Sequence, residues 1–234
     1  MIRRIGSVLR AVRRFAAGGL VAAVAVPVSL FATASPAQAA SCNLTTGPYQ
    51  RAVEKYLGRP VDGRQSAADC RAIKAFQIRY NVTPTQGYAG PKTWSKIQLL
   101  QAGSNPNRAG TCPTNRGRIA CVDLGRQLMW VQDGRALKFG PKVVRTGRNG
   151  YETRTGSYKI YWRNIDHYST IYHVPMPYAQ FFSGGQAFHA ISGDIYSAPG
   201  SHGCVNMTTP DARKLWSLLR NNDDVYVYGR KPGT

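Results

Sequence analysis

All five cysteines of the chain, Cys42, Cys70, Cys112, Cys121 and Cys204, lie beyond a leader-like N-terminal stretch. An odd set cannot be wholly consumed by intramolecular disulfides. Residues 1–14, "MIRRIGSVLRAVRR", carry five arginines and no acid, an apolar run follows, and "PAQAA" puts small residues at Ala37 and Ala39. This charged, apolar, small-residue order predicts a secretory signal over 1–39. Pro27 and the many alanines disfavour its alternative, a retained membrane helix. In an oxidising compartment the four early cysteines fall naturally into Cys42 with Cys70 and Cys112 with Cys121, one pair per region, although connectivity cannot be read from spacing alone. Cys204 is then the thiol left over, either a buried inert side chain or one retained for its chemistry.

Five of the 31 Lys and Arg lie in residues 1–39, so 26 remain against 11 acids, a net +15 on the exported part. A charge of that size implies an anionic partner. No zinc-finger spacing and no RNA-binding aromatic signature supports nucleic acid. For an exported chain the partners to expect are anionic cell-wall polymers or membrane headgroups.

The texture changes twice along the chain, which predicts an α+β, multidomain architecture. Residues 48–101 read as three short helices, with Val53, Tyr56 and Leu57, then Ala72, Ile73, Phe76 and Tyr80, then Trp94, Ile97 and Leu100 at near-helical spacing. Ser66 is a candidate N-cap, and Pro91 suits a first helical turn. "VDG" at 61–63, "AIKAFQ" at 72–77 and "GPKTW" at 90–94 make residues 41–102 resemble the peptidoglycan-binding domain type 1 family. Gln86 and Gly87 stand where that family usually has a second Asp-Gly. The resemblance implies a small three-helix module that docks on wall glycopeptide and does no chemistry.

Residues 103–118 are polar and turn-rich and read as a linker. From Ile119 the pattern is strand-like: "RIACVDLGRQLMWVQDGRALKF", with an Asp-Gly hairpin signal, then "PKVVRTG", "TGSYKIYWR", "STIYHVP" and "DVYVYG". One helix is expected at 210–220, with Thr209 as cap and Pro210 in its first position. These runs predict a mainly β domain over 119–230, a sandwich or partly closed barrel with one packed helix.

The chemistry gathers in "FHAISGDIYSAPGSHGCVN", residues 188–206. With no HExxH and no CxxC, no metal site is expected, and no cofactor motif is present. A nucleophile needs a base, a group to orient that base and oxyanion donors. His189 lies fifteen residues before Cys204, a span that can join two adjacent strands. His202, two residues before the thiol, is better placed to shape the loop than to move protons. Gly203 removes side-chain bulk and lets the backbone N–H groups of Gly203 and Cys204 converge on a carbonyl oxygen. No acid sits at an identifiable third position, and a backbone carbonyl can fix the imidazole tautomer instead.

His189 and "SHGCVN" at 201–206, supported by "RTGSY" at 154–158 and "MPYAQFF" at 176–182, resemble the YkuD-type L,D-transpeptidase catalytic domain. That resemblance implies two-step acyl transfer on peptidoglycan. Cys204 takes the carbonyl of stem residue three, D-alanine leaves, and an amine of a second stem resolves the thioester into a 3–3 crosslink. It further implies that Ala190 orients His189 through its carbonyl, that the amides of His202, Gly203 and Cys204 hold the oxyanion, that Ser201 and Asn206 brace the loop, and that Tyr178 helps close the pocket. It also implies acylation by carbapenems. An NlpC-type endopeptidase would place Cys before His, the reverse of the order here. An L,D-carboxypeptidase, which sends the same thioester to water, and a non-catalytic wall-binding protein are the other readings.

Overall fold

The computed structural model describes residues 41–234, and the expected signal segment 1–39 lies outside the described residues. The described residues belong to one compact unit. Three helices come first: α1 (Gln50–Tyr56), α2 (Ala67–Arg79) and α3 (Pro91–Ala102). Ser66 starts α2 with a full capping box, its hydroxyl accepting from the Asp69 amide while the Asp69 carboxylate accepts from the Ser66 amide. Gly90 precedes Pro91 in extended backbone, so α3 begins where a residue without an N–H does no harm. The apolar stripes meet in a small core of Val53, Ile73, Phe76, Val82, Ala89 and Ile97, edged by Tyr49, Tyr56, Tyr80 and Trp94.

So few buried side chains make a marginal core, and the Cys42–Cys70 disulfide closes a loop of 28 residues across it. Replacing both cysteines by serine is expected to cost the helical segment about 3 kcal/mol. The check is proteolysis between residues 41 and 102 in mild urea, with products of the rest of the chain appearing later.

Residues 103–117 contain no helix or strand but are pinned. Asn107 exchanges two hydrogen bonds with the Cys112 backbone (2.8 and 2.9 Å), Cys112 is disulfide-bonded to Cys121, and Arg126 donates to the Pro106 carbonyl. Nine strands and one helix follow: β1 (Arg118–Asp123), β2 (Leu128–Asp133), β3 (Ala136–Val143), β4 (Gly156–Lys159), β5 (Trp162–Ser169), β6 (Val174–Ser183), β7 (Gln186–Ala190), β8 (Val205–Met207), α4 (Thr209–Leu218) and β9 (Asp224–Tyr228). One sheet runs β3-β2-β1-β9-β4 and the other β5-β6-β7-β8. Period-2 alternation divides their faces. Ala120, Val122, Met129, Val131, Val225 and Val227 from the first sheet meet Phe182, Phe188, Ala190, Val205 and Met207 from the second, with Ala212 and Leu215 of α4 and Leu219 just past its end completing the core. The outer face of the first sheet buries Trp130 and the Cys112–Cys121 pair.

Four details depart from the sequence reading. "STIYHVP" is not one strand: residues 170–173 are the turn between the end of β5 at Ser169 and the start of β6 at Val174, with His173 at φ +52 and Ile171 mostly exposed. Its β-branched and aromatic content mimics a strand that nothing is available to pair. "TGSYKIYWR" is two strands, because the chain leaves one sheet after Lys159 and enters the other at Trp162. The cap of α4 is Thr208, one residue before the expected Thr209: its hydroxyl accepts from the Asp211 amide and donates to the Asp211 carboxylate. That helix also ends at Leu218, short of 220.

The helical segment rests on the β layer. Ala102 and Leu99 of α3 pack with Leu128, Val143 and Ile195, and Lys92 pairs with Asp194 at 3.3 Å. Ile195 and Asp194 belong to the 191–204 connection that ends at the site thiol.

Candidate active site

The fifteen-residue interval between His189 and Cys204 is the crossover that parallel neighbours require. β7 and β8 are parallel and adjacent in the register Phe188 with Val205, His189 with Asn206, and Ala190 with Met207. Phe188, Ala190, Val205 and Met207 point into the inter-sheet core. The opposite parity puts His189, Asn206 and Cys204 together on the outer face. There the Cys204 side chain packs against Met176, Ala179, Phe181 and Ala187.

His189 is 5% exposed, and both ring nitrogens are engaged: Nδ1 lies 2.8 Å from the Ala190 carbonyl oxygen and Nε2 lies 2.7 Å from Asn206 Nδ2. A carbonyl can only accept, so Nδ1 carries the proton and Nε2 presents its lone pair to the Asn206 amide. Burial, with lesser contributions from the charges of Arg145 and His167, holds the imidazole down to about 4 against the opposing pull of the Ala190 carbonyl.

The Cys204 sulfur faces the Gly185 carbonyl at 3.8 Å. Among the described residues it makes no hydrogen bond to His189. The residue keeps some solvent exposure while its sulfur is packed among apolar side chains. Burial therefore pushes the thiol up to about 11, offset only in part by a hydrogen bond from the Ala187 backbone. At neutral pH the pair is thiol and neutral imidazole, not thiolate and imidazolium. Thiolate at pH 7 is then scarcer than in a free cysteine. We expect iodoacetamide to alkylate Cys204 at pH 7 roughly a hundredfold or more slower than free cysteine, with the rate still climbing beyond pH 9; fast alkylation with a plateau near neutrality would contradict this electrostatic picture.

The loop before the thiol is tied at each residue. Ser201 Oγ donates to the Cys204 carbonyl (2.6 Å) and accepts from the Gly203 amide (3.0 Å), while the Ser201 amide donates to the Thr146 carbonyl. The Gly203 carbonyl accepts from Thr153 Oγ1 at 2.8 Å. Gly203 sits at φ +110, and a Cβ there would run into the Gln186 amide, so glycine is required on two counts. The Gly203 amide, expected to face an oxyanion, is already committed to Ser201 Oγ, and a role there requires that bond to be shared or broken.

His202 is enclosed by other side chains. Tyr172 from the β5–β6 turn stacks on its ring (4.2 Å, 21°), Tyr151 meets it edge-on (4.8 Å), and Arg148 Nη2 lies 2.6 Å from Nε2. Burial first, then the Arg148 charge, lowers its basicity. These contacts anchor the loop. Tyr178 does not border the thiol: at φ +59 it packs on the inter-sheet core and toward Trp216 (6.4 Å), the face of the sheet opposite Cys204.

Sequence reasoning misses Thr153, Gln186, Arg145 and Arg148: Gln186 lies on β7, and the other three come to the site from the connection between β3 and β4. The one hint was position: Gln186 and His189 share a five-residue strand.

The family described as the L,D-transpeptidase catalytic domain (YkuD) matches residues 117–227. Among solved structures, an L,D-transpeptidase from Stackebrandtia nassauensis is 36% identical, over 83% of this chain and 97% of that one, with a TM-score of 0.59. The chain belongs to the L,D-transpeptidase family. The likeness over 83% of the chain reaches beyond residues 117–227, so it takes in more than the catalytic domain of this L,D-transpeptidase. A second solved L,D-transpeptidase, from Xylanimonas cellulosilytica, is 23% identical over 83% of this chain and 100% of that one, with a TM-score of 0.45. No curated protein matches.

Proposed function

We propose that this L,D-transpeptidase is an exported cysteine acyltransferase that forms 3–3 crosslinks in peptidoglycan. The observation that carries the proposal is the site pairing: His189, tautomerically fixed by Ala190, lies on the strand next to the one that Cys204 introduces, on the same face. The Cys204 sulfur attacks the carbonyl carbon of stem residue three. The thiol proton passes to His189 Nε2 once the Asn206 amide yields that position. The S–C bond forms, the C–N bond to the terminal D-alanine breaks, and the proton on Nε2 goes to the leaving amine. A side-chain amine of a second stem then attacks the thioester, its proton passes through His189 to sulfur, and the thiol is restored. Because the thioester conserves the energy of the broken amide, no nucleotide is consumed. The backbone amides of Cys204 and His202, with that of Gly203 if Ser201 releases it, hold the oxyanion.

In this reading residues 1–39 direct export, residues 41–102 hold the enzyme on wall glycopeptide, and residues 119–230 catalyse. The +15 charge of the exported part favours residence among anionic wall polymers. The test is mass spectrometry of products from purified disaccharide tetrapeptides. Dimers lacking one D-alanine support the transpeptidase. Tripeptide monomers alone make the protein an L,D-carboxypeptidase, and unchanged substrate makes it a binding protein.

A further inference from the structure

The outer edge of β8 is flanked by a short segment that the site motif does not contain. Arg145 and Asn206 face each other as an isolated antiparallel pair, with backbone hydrogen bonds in both directions (3.0 and 2.9 Å). From that position the guanidinium reaches the Asn206 side chain, with Nε 3.1 Å and Nη2 3.0 Å from the same Oδ1. Its third arm, Nη1, donates to Ser197 Oγ at 2.7 Å.

An amide side chain can usually be turned end for end, exchanging donor and acceptor. Here it cannot. A guanidinium has donors only, so the atom it grips must be the oxygen. The Asn206 nitrogen is therefore directed at His189 Nε2, 2.7 Å away. A donating amide there requires the Nε2 lone pair, which places the imidazole proton on Nδ1, where the Ala190 carbonyl receives it.

We infer that Arg145 is a positioning residue that acts through Asn206 to hold His189 in the Nδ1–H tautomer, with Nε2 kept as the proton acceptor for catalysis. The inference rests on the transpeptidase reading for its use but not for its geometry. Ser197 anchors the far side of the fork, and its hydroxyl also donates to the Asp194 carbonyl. Asp194 pairs with Lys92 of α3, so the crossover, the fork and the base form one continuous hydrogen-bonded and ion-paired set. The charge of Arg145 also disfavours protonation of His189. The other titratable group bearing on that ring is His167.

The test uses the chain with its imidazoles labelled with nitrogen-15, in which only four histidines contribute. Wild type at pH 7 is expected to show His189 with a protonated Nδ1 and a bare Nε2. Arg145→Met should mix in the Nε2–H tautomer, and Arg145→Lys, which keeps the charge but not the fork, should do so to a lesser degree. Asn206→Ala should mix the tautomers as well, and Arg145→Met added to it should change nothing further, because Arg145 acts through Asn206. In parallel, acylation of Cys204 by a carbapenem, followed by intact mass, should slow roughly tenfold in Arg145→Met, with its acid limb displaced to higher pH. An unmoved tautomer in Arg145→Met and Arg145→Lys overturns the inference, as does additivity of the two substitutions. Wild type that takes up no carbapenem counts instead against the transpeptidase reading and leaves the nitrogen spectra to decide the role of Arg145.

Discussion

Cys204→Ala should lose transpeptidation by on the order of 10⁴-fold or more while the protein stays folded. No neighbouring group can take over as nucleophile: Ser201 Oγ is committed to the Cys204 carbonyl and the Gly203 amide, and Thr153 Oγ1 donates to the Gly203 carbonyl. The loop owes its shape to those bonds and to Gly203, not to the sulfur. Truncating the thiol removes only one side chain from the edge of a small apolar cluster, a change worth about 1 kcal/mol. Product analysis together with a thermal melt checks both halves: activity lost and melting nearly unchanged. Activity retained in the alanine variant would remove Cys204 from the mechanism.

His189→Gln should lower turnover by about 10²- to 10⁴-fold, the usual value of a positioned general base. It should also change how stability depends on pH. The folded imidazole is held to about 4 by burial, below its ordinary value of 6.5 in the unfolded chain. Between these values the unfolded state binds a proton that the native state refuses. The stability associated with His189 is therefore complete above pH 6.5 and is lost progressively as the pH falls toward 4. At pH 4.5 the loss relative to pH 7 is about 2–3 kcal/mol. Urea denaturation of the two proteins at both pH values isolates this contribution by difference. If His189→Gln loses as much stability on acidification as wild type, the imidazole is not buried in its neutral form.

The parts of this site that can be read from sequence are those fixed by local covalent spacing. "SHGCVN" sets a glycine at φ +110 beside a thiol, and the His189 interval is the length of a crossover between parallel strands. The Ser66 capping box and Pro91 are legible for the same reason, since a helix start is decided within four residues. The pairing of Cys42 with Cys70 and Cys112 with Cys121 follows the division of the chain into two textures. What stayed hidden depends on which strands become neighbours. Arg145 meets Asn206 61 residues away through an edge pairing too short to leave a periodic trace, and Thr153 meets Gly203 50 residues away through its hydroxyl from an irregular segment. The turn at 170–173 reads as a strand because composition records β-propensity but not the absence of a partner. The family resemblance implies a pocket role for Tyr178, but the residue, at φ +59, packs on the inter-sheet core and toward Trp216, on the opposite face of the sheet.

The central claim is that Cys204 carries the donor stem as a thioester, and it can be tested without an acceptor. Residues 41–234 are mixed with disaccharide tetrapeptide, quenched in acid within seconds, and weighed intact, with Cys204→Ala in parallel. The account predicts an adduct equal to the donor minus D-alanine, released by hydroxylamine, mapped to the peptide containing Cys204 and absent from the variant. Release of D-alanine without such an adduct at any time point, or an adduct that persists in Cys204→Ala, would contradict it.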